Sequence, residues 1–272
     1  MKTPVPDAAT ADNGFLVEAS DLSKRYSENG LVLDALNVGI RPGEVYCLFG
    51  ANGAGKTTAI HLFLGLVRPT MGRATIAGID AAHDPVGVRR HVTYISTRAS
   101  LCPSLTARQN VEFFTHVGTP RKSLGRFECY NAMRRMGIPE DSLEQKVTTL
   151  PKETRLQVWL AIAWLRQSPV LLLDDPTTGL DIQALASFQE HLAEFRNEGR
   201  ATLLATADVF LASQVCDRIA ILKNGRTIAE RTRAQILVQS LTELYLDYGG
   251  RPSAVSRPEN RSTVPAGARG TK

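Results

Sequence analysis

The stretch that most restricts what this chain can fold into is VYCLFGANGAGKTTAIHLFLGL, residues 45–66. Five apolar residues run into a glycine-rich loop, and an apolar helix-forming stretch follows. The loop matches G-x-x-x-x-G-K-[ST] at Gly50, Gly55, Lys56 and Thr57, in the strand–loop–helix context that the motif requires. Its glycines let backbone N–H groups around Asn52 and Gly53 turn inward on phosphate oxygens, and the helix N-terminus adds partial positive charge. Lys56 is placed to reach the β- and γ-phosphates, and Thr57 to coordinate Mg²⁺, with Thr58 completing the loop. The stretch implies an α/β layering and a nucleoside triphosphate as ligand.

A second segment agrees with the first. LLLDDPTTGLD, residues 171–181, reads as a buried strand that delivers Asp174 and Asp175 at its carboxyl end. A carboxylate there is costly to bury without a cation, so Asp174 is the candidate partner of Thr57 on Mg²⁺. Asp175 stands where a base for water would stand.

Further runs, VTYIS, VLLLD, ATLLAT and RIAIL, are largely apolar throughout, as strands buried on both faces of a parallel sheet are. FLVEAS and LNVGI alternate and suit a smaller antiparallel sheet. The pattern from about 105 to 165 is helical. The expected architecture is therefore a P-loop NTPase (RecA-like) α/β core with a small antiparallel β-subdomain and a helical insertion, about 98–165, ahead of the acidic strand. Residues 1–14 and 249–272 are rich in Pro, Ala, Gly, Ser and Thr and are expected to be disordered, leaving 15–248 as the nucleotide-binding domain.

Composition narrows the setting. The net charge is +5, but Arg251, Arg257, Arg261, Arg269 and Lys272 face only Glu259 in the tail, which holds four of those five charges. The folded part is near neutral, so no nucleic-acid partner is expected. The tail reads as solvated, with anionic lipid headgroups as the sharper reading. The four cysteines form no C-x-x-C pair and read as reduced thiols. No secretion signal and no membrane-spanning run is present; VWLAIAWL is stopped by Arg166, Gln167 and Pro169. The expected location is cytoplasmic.

Taken together, residues 15–245 resemble the ATP-binding subunits of ABC transporters. RPGEVYCLFGANGAGKTT is close to the family pattern throughout, SLTARQNVEFF resembles the segment after the family's Q-loop, and CDRIAILKNGRTIAE resembles the strand pair after its switch histidine. The resemblance implies that Tyr26 stacks on adenine and that Asp181, in DDPTTGLD, faces a second nucleotide-binding subunit. It also implies an integral membrane partner that holds the chain on the inner face of the membrane, with contact passing through roughly residues 95–150.

Four positions depart from the family pattern, and all four concern catalysis. LPKET, residues 150–154, stands where the signature usually reads L-S-G-G-Q. Pro151 has no N–H to donate, and Lys152 and Glu153 replace glycines. Pro151 still suits the first turn of a helix. Asp175 replaces the catalytic glutamate; one methylene shorter, it would miss a water by about 1 Å, an error that can cost about 100-fold. Ala207 replaces the switch histidine, and Thr97 the Q-loop glutamine. The expectation is a subunit that binds Mg-ATP and hydrolyses it weakly or not at all. A non-transport ATP-binding switch and a fully active ATPase, compensated through Lys152 or Asp208, remain the alternatives. Substrate and direction of transport are not encoded in this chain.

Overall fold

The computed structural model describes residues 14–27, 30–96, 101–117 and 125–238. The predicted disordered ends thus fall almost wholly outside the described residues, and so does Thr97.

Two sheets build the molecule. In chain order the elements are β1 (Val17–Arg25), β2 (Leu31–Ile40), β3 (Val45–Phe49), α1 (Lys56–Phe63), β4 (Met71–Ile76), β5 (Ile79–Asp80), α2 (Pro85–Arg90) and β6 (Val92–Ser96). There follow α3 (Ala107–His116), α4 (Arg126–Arg135), α5 (Lys152–Arg166), β7 (Val170–Asp174), α6 (Ile182–Asn197), β8 (Ala201–Thr206), α7 (Val209–Val215), β9 (Arg218–Lys223), β10 (Arg226–Thr232) and α8 (Arg233–Val238). The larger sheet has the order β10-β9-β3-β8-β7-β6, and the smaller one β2-β1-β4-β5. The five largely apolar runs are the five parallel neighbours β9, β3, β8, β7 and β6, and in this sheet only β10 is antiparallel. Continuous apolar sequence is what burial on both faces demands: Cys47 and Phe49 enter one apolar core while Tyr46 and Leu48 enter the other.

The alternating segments pair antiparallel as β1 and β2, and the short strands β4 and β5 complete that sheet. The helical region consists of α3, α4 and α5, with one isolated bridge between Thr106 and Lys146. Its entry is fixed by a capping box: Thr106 accepts from Gln109 N–H while the Gln109 side chain accepts from Thr106 N–H. Arg108, almost fully buried, holds Glu112 at 2.8 Å and Glu144 at 2.5 Å. At the other end of α5, one guanidinium ties helices to core. Arg166 donates to Phe114 O and Val117 O at the end of α3, and to Arg89 O in the last turn of α2. Pro151 lies one position earlier than the sequence suggests. It is the N-cap of α5, with φ −56° and ψ 160°, and its carbonyl accepts from Arg155 N–H. A ring that fixes φ suits either place, so the one-residue offset is set by where the preceding loop delivers the chain.

Candidate functional site

The glycine loop is held open by close approach rather than by side chains. A Cβ on Gly50 would lie 2.3 Å from Leu222 O, inside β9. Gly55 has φ +107°, and a Cβ there would lie 2.6 Å from Val32 O. Neither position tolerates a side chain, so the loop can wrap only as a bare backbone. Lys56 is buried, and its Nζ donates to Gly50 O at 2.8 Å and Ala51 O at 3.1 Å. Burial pushes the Lys56 ammonium below the usual lysine range, against the pull of Asp175 and Asp174.

Thr57 and Asp174 meet as their spacing in the motif suggested. Thr57 Oγ1 donates to Asp174 Oδ1 at 3.1 Å, across 117 residues of sequence. Asp174 ends β7 and is buried; desolvation raises its carboxyl above the ordinary aspartate range, only partly offset by the Thr57 hydrogen bond. A buried hydroxyl–carboxylate pair, with the carboxylate reluctant to ionise alone, is a donor set that a hard divalent cation fits. Around this pair lies a cavity of about 400 Å³, lined by Asn52, Gly53, Gly55, Lys56, Thr57, Thr58, Asp174 and Asp175 among others.

Three lining residues were not singled out from the sequence: Val32, Ser96 and Thr178. Ser96 is the register partner of Asp174 at the carboxyl ends of adjacent parallel strands. A signal existed for it, since it ends an apolar run as Asp174 does. Val32 is contributed by the smaller sheet, and no local pattern points to it.

Tyr26 and Asp181 stand apart from this cavity, whereas Asp175 lines it. Tyr26 is exposed, with Lys24 Nζ 5.0 Å above its ring, and is not part of the cavity wall. Asp181 is the N-cap of α6, its Oδ1 accepting from Ala184 N–H at 2.8 Å. Asp175 shares the cavity wall with Asp174 but makes different hydrogen bonds. At φ +46° its N–H donates to Ala205 O at 2.8 Å, and its Oδ1 accepts from Ala207 N–H at 3.2 Å. The carboxylate thus clasps the end of β8, where the methyl of Ala207 carries no polar group. Asp208 is occupied as the N-cap of α7, accepting from Leu211 N–H at 3.1 Å. Lys152 and Glu153 are exposed on the first turn of α5, and neither lines the phosphate cavity.

A parallel sheet whose strand ends surround a glycine loop, a buried lysine and a hydroxyl–carboxylate pair defines a P-loop nucleotide-binding domain. The ABC transporter family profile matches residues 33–178, and the chain belongs to that family as one of its ATP-binding subunits. It is 32% identical over 226 residues to the doxorubicin resistance ATP-binding protein DrrA of Mycobacterium tuberculosis, covering 83% of this chain and 68% of that one. A solved ATP-binding subunit of an ABC transporter superposes with TM-score 0.73 at 28% identity, over 86% of this chain and 99% of that chain. The ATP-binding cassette MJ0796, solved as a dimer with ADP and Pi, shares the fold at TM-score 0.73 and 24% identity, over 80% of this chain and 98% of that one.

Proposed function

We propose that this subunit binds Mg-ATP and passes the binding event to a separate membrane-spanning partner, with little or no hydrolysis of its own. The observation that carries this reading is the contrast between two neighbouring carboxylates. Both line the phosphate cavity, but Asp174 accepts from the Thr57 hydroxyl, whereas Asp175 accepts from the backbone N–H of Ala207. Thr57 and Asp174 would hold the cation, which when bound neutralises phosphate charge. The backbone of 50–55 and Lys56 would cradle the phosphates, the ammonium exchanging two carbonyls for phosphate oxygens. No imidazole stands at Ala207 to orient a water or touch a γ-phosphate. Asp208 is spent on a helix cap and Lys152 lines a different cavity, which argues against local compensation.

The likeness to DrrA supports a transport subunit of the drug-resistance kind. The likeness to a dimeric cassette supports a second nucleotide-binding subunit, with Asp181 near the contact and Tyr26 positioned for adenine. The membrane partner would carry the substrate path: among the described residues no helix is long and apolar enough to cross a membrane. The domain would extend from 15 to 248, with the helical region, about 98–165, meeting that partner. The test is single-turnover hydrolysis of Mg-ATP by the purified chain, with Lys56→Ala as blank. Bound ATP recovered intact supports the reading; turnover above the blank sinks it.

A further inference from the structure

Next to the phosphate cavity lies a second one, of about 360 Å³, that the reading above does not use. It opens between the end of β6, the first turns of α5 and the segment after β7, and it shares Ser96 and Thr178 with the phosphate cavity. Its volume lies within the range of small-ligand sites, roughly 300–1,000 Å³. Leu101, Leu156, Trp159 and Leu180 give it apolar walls, and Trp159 is itself braced against Phe114 with ring centroids 4.9 Å apart. Two cations, Lys152 and Arg155, also line it.

The charge on those walls is uncompensated. None of the described residues lining the cavity is acidic, and neither Lys152 nor Arg155 forms an ion pair with a described residue. Three arginines of the helical region are ion-paired, Arg108 with Glu112 and Glu144, Arg134 with Glu140 and Arg135 with Glu194, whereas Arg126 and Lys146, like Lys152 and Arg155, form no ion pair with a described residue. Arg155 is half-buried, which makes an unpaired guanidinium there more costly than one in open water. Lys152 is held over Gly179, its Nζ 3.1 Å from the point where a Cβ on that residue would stand. Apolar walls with two unmatched cations select a ligand that is both apolar and negative.

We propose that this cavity binds a small amphipathic anion, its apolar body against Trp159 and the leucines and one carboxylate, sulfonate or phosphate group facing Lys152 and Arg155. An occupant here would share the Ser96 and Thr178 wall with bound nucleotide, so each would alter the other's affinity by the same factor. The probe is 1-anilinonaphthalene-8-sulfonate, titrated into the full chain by fluorescence, with uncharged N-phenyl-1-naphthylamine as the matched body lacking the anion. Saturable sulfonate binding at one site, weakened about tenfold or more by Lys152→Gln with Arg155→Gln, is the result expected from losing charge-assisted hydrogen bonds. The same double variant should leave the neutral naphthylamine almost unaffected and keep its far-ultraviolet circular dichroism. Equal affinity for sulfonate and neutral probe, or sulfonate binding indifferent to the double variant, would overturn the proposal. Displacement of the sulfonate by ATP from the Lys56→Ala chain would overturn it too, because the cavity would then be a seat for nucleotide phosphates.

Discussion

The loop before α1 and the two loop ends after β7 and β8 lie on the same edge of one sheet, yet they are finished differently. On the first, every feature is one that the proposed phosphate site would use: bare backbone at Gly50 and Gly55, a buried ammonium on Lys56, and a hydroxyl–carboxylate pair between Thr57 and Asp174. On the second, the polar groups serve the protein. Asp175 accepts from Ala207 N–H, Asp208 caps α7, and Asp181 caps α6. Side chains that hold secondary structure together are not free to move a proton on a ligand. The lesson is that a triphosphate site divides physically into a part that grips and a part that reacts, and a chain can retain the first while remodelling the second.

Breaking the gripping half should give the largest effect. Lys56→Ala removes the one buried cation of the loop and is expected to lower ATP affinity by about 100-fold, read by isothermal titration with Mg-ATP. Rebuilding the reacting half should come next. Asp175→Glu combined with Ala207→His lengthens the carboxylate and supplies an imidazole, and should raise single-turnover hydrolysis by about tenfold or more over wild type. If the double variant stays silent while binding ATP normally, the missing cap at Pro151 is the dominant defect rather than the β7 and β8 loop ends.

The comparison sharpens with pH. Desolvation keeps Asp174 protonated to a higher pH in the folded chain than in the unfolded one. Folded-state stability from this group therefore increases as pH falls through that raised value, the reverse of a salt-bridged carboxylate. A divalent cation needs the ionised form. The Mg²⁺-dependent part of ATP affinity should thus decline on acidification from above the ordinary aspartate range, and Asp174→Asn should flatten the profile. Gly50→Ala tests the bare backbone itself: with Leu222 O 2.3 Å from the new methyl, a loss of about 1–3 kcal/mol in thermal or denaturant stability is expected. Smallest is Asp208→Ala, which removes only a helix cap. It should cost about 1 kcal/mol of stability and leave ATP binding unchanged.

Much of the fold was legible because its signals are local. Five largely apolar runs announced five parallel strands, alternation announced β1 and β2, and the motif placed Lys56 and Thr57 at the start of the helix that follows a strand. The meeting of Thr57 with Asp174 was also readable, since both stand at carboxyl ends of buried strands or at the helix that follows one. Val32 was not, because it reaches the cavity from the other sheet, and sheet-on-sheet placement leaves no mark in nearby sequence.

What the sequence by itself determined is which chemical groups the chain possesses: glycines where backbone must approach, one lysine, a hydroxyl, two adjacent carboxylates, and alanine in place of an imidazole. Only the tertiary structure decided how those groups are spent. Asp174 and Asp175 are neighbours of identical type, told apart in the sequence only by their order at the end of the strand. The left-handed backbone at Asp175, φ +46°, turns its carboxylate onto the end of β8 while Asp174 stays with Thr57. The same holds for Lys152 and Arg155, whose charge, unpaired among the described residues, became visible only when packing showed that no described acid lines their cavity. Partners in space are set by long-range packing, and long-range packing is what a linear pattern does not carry.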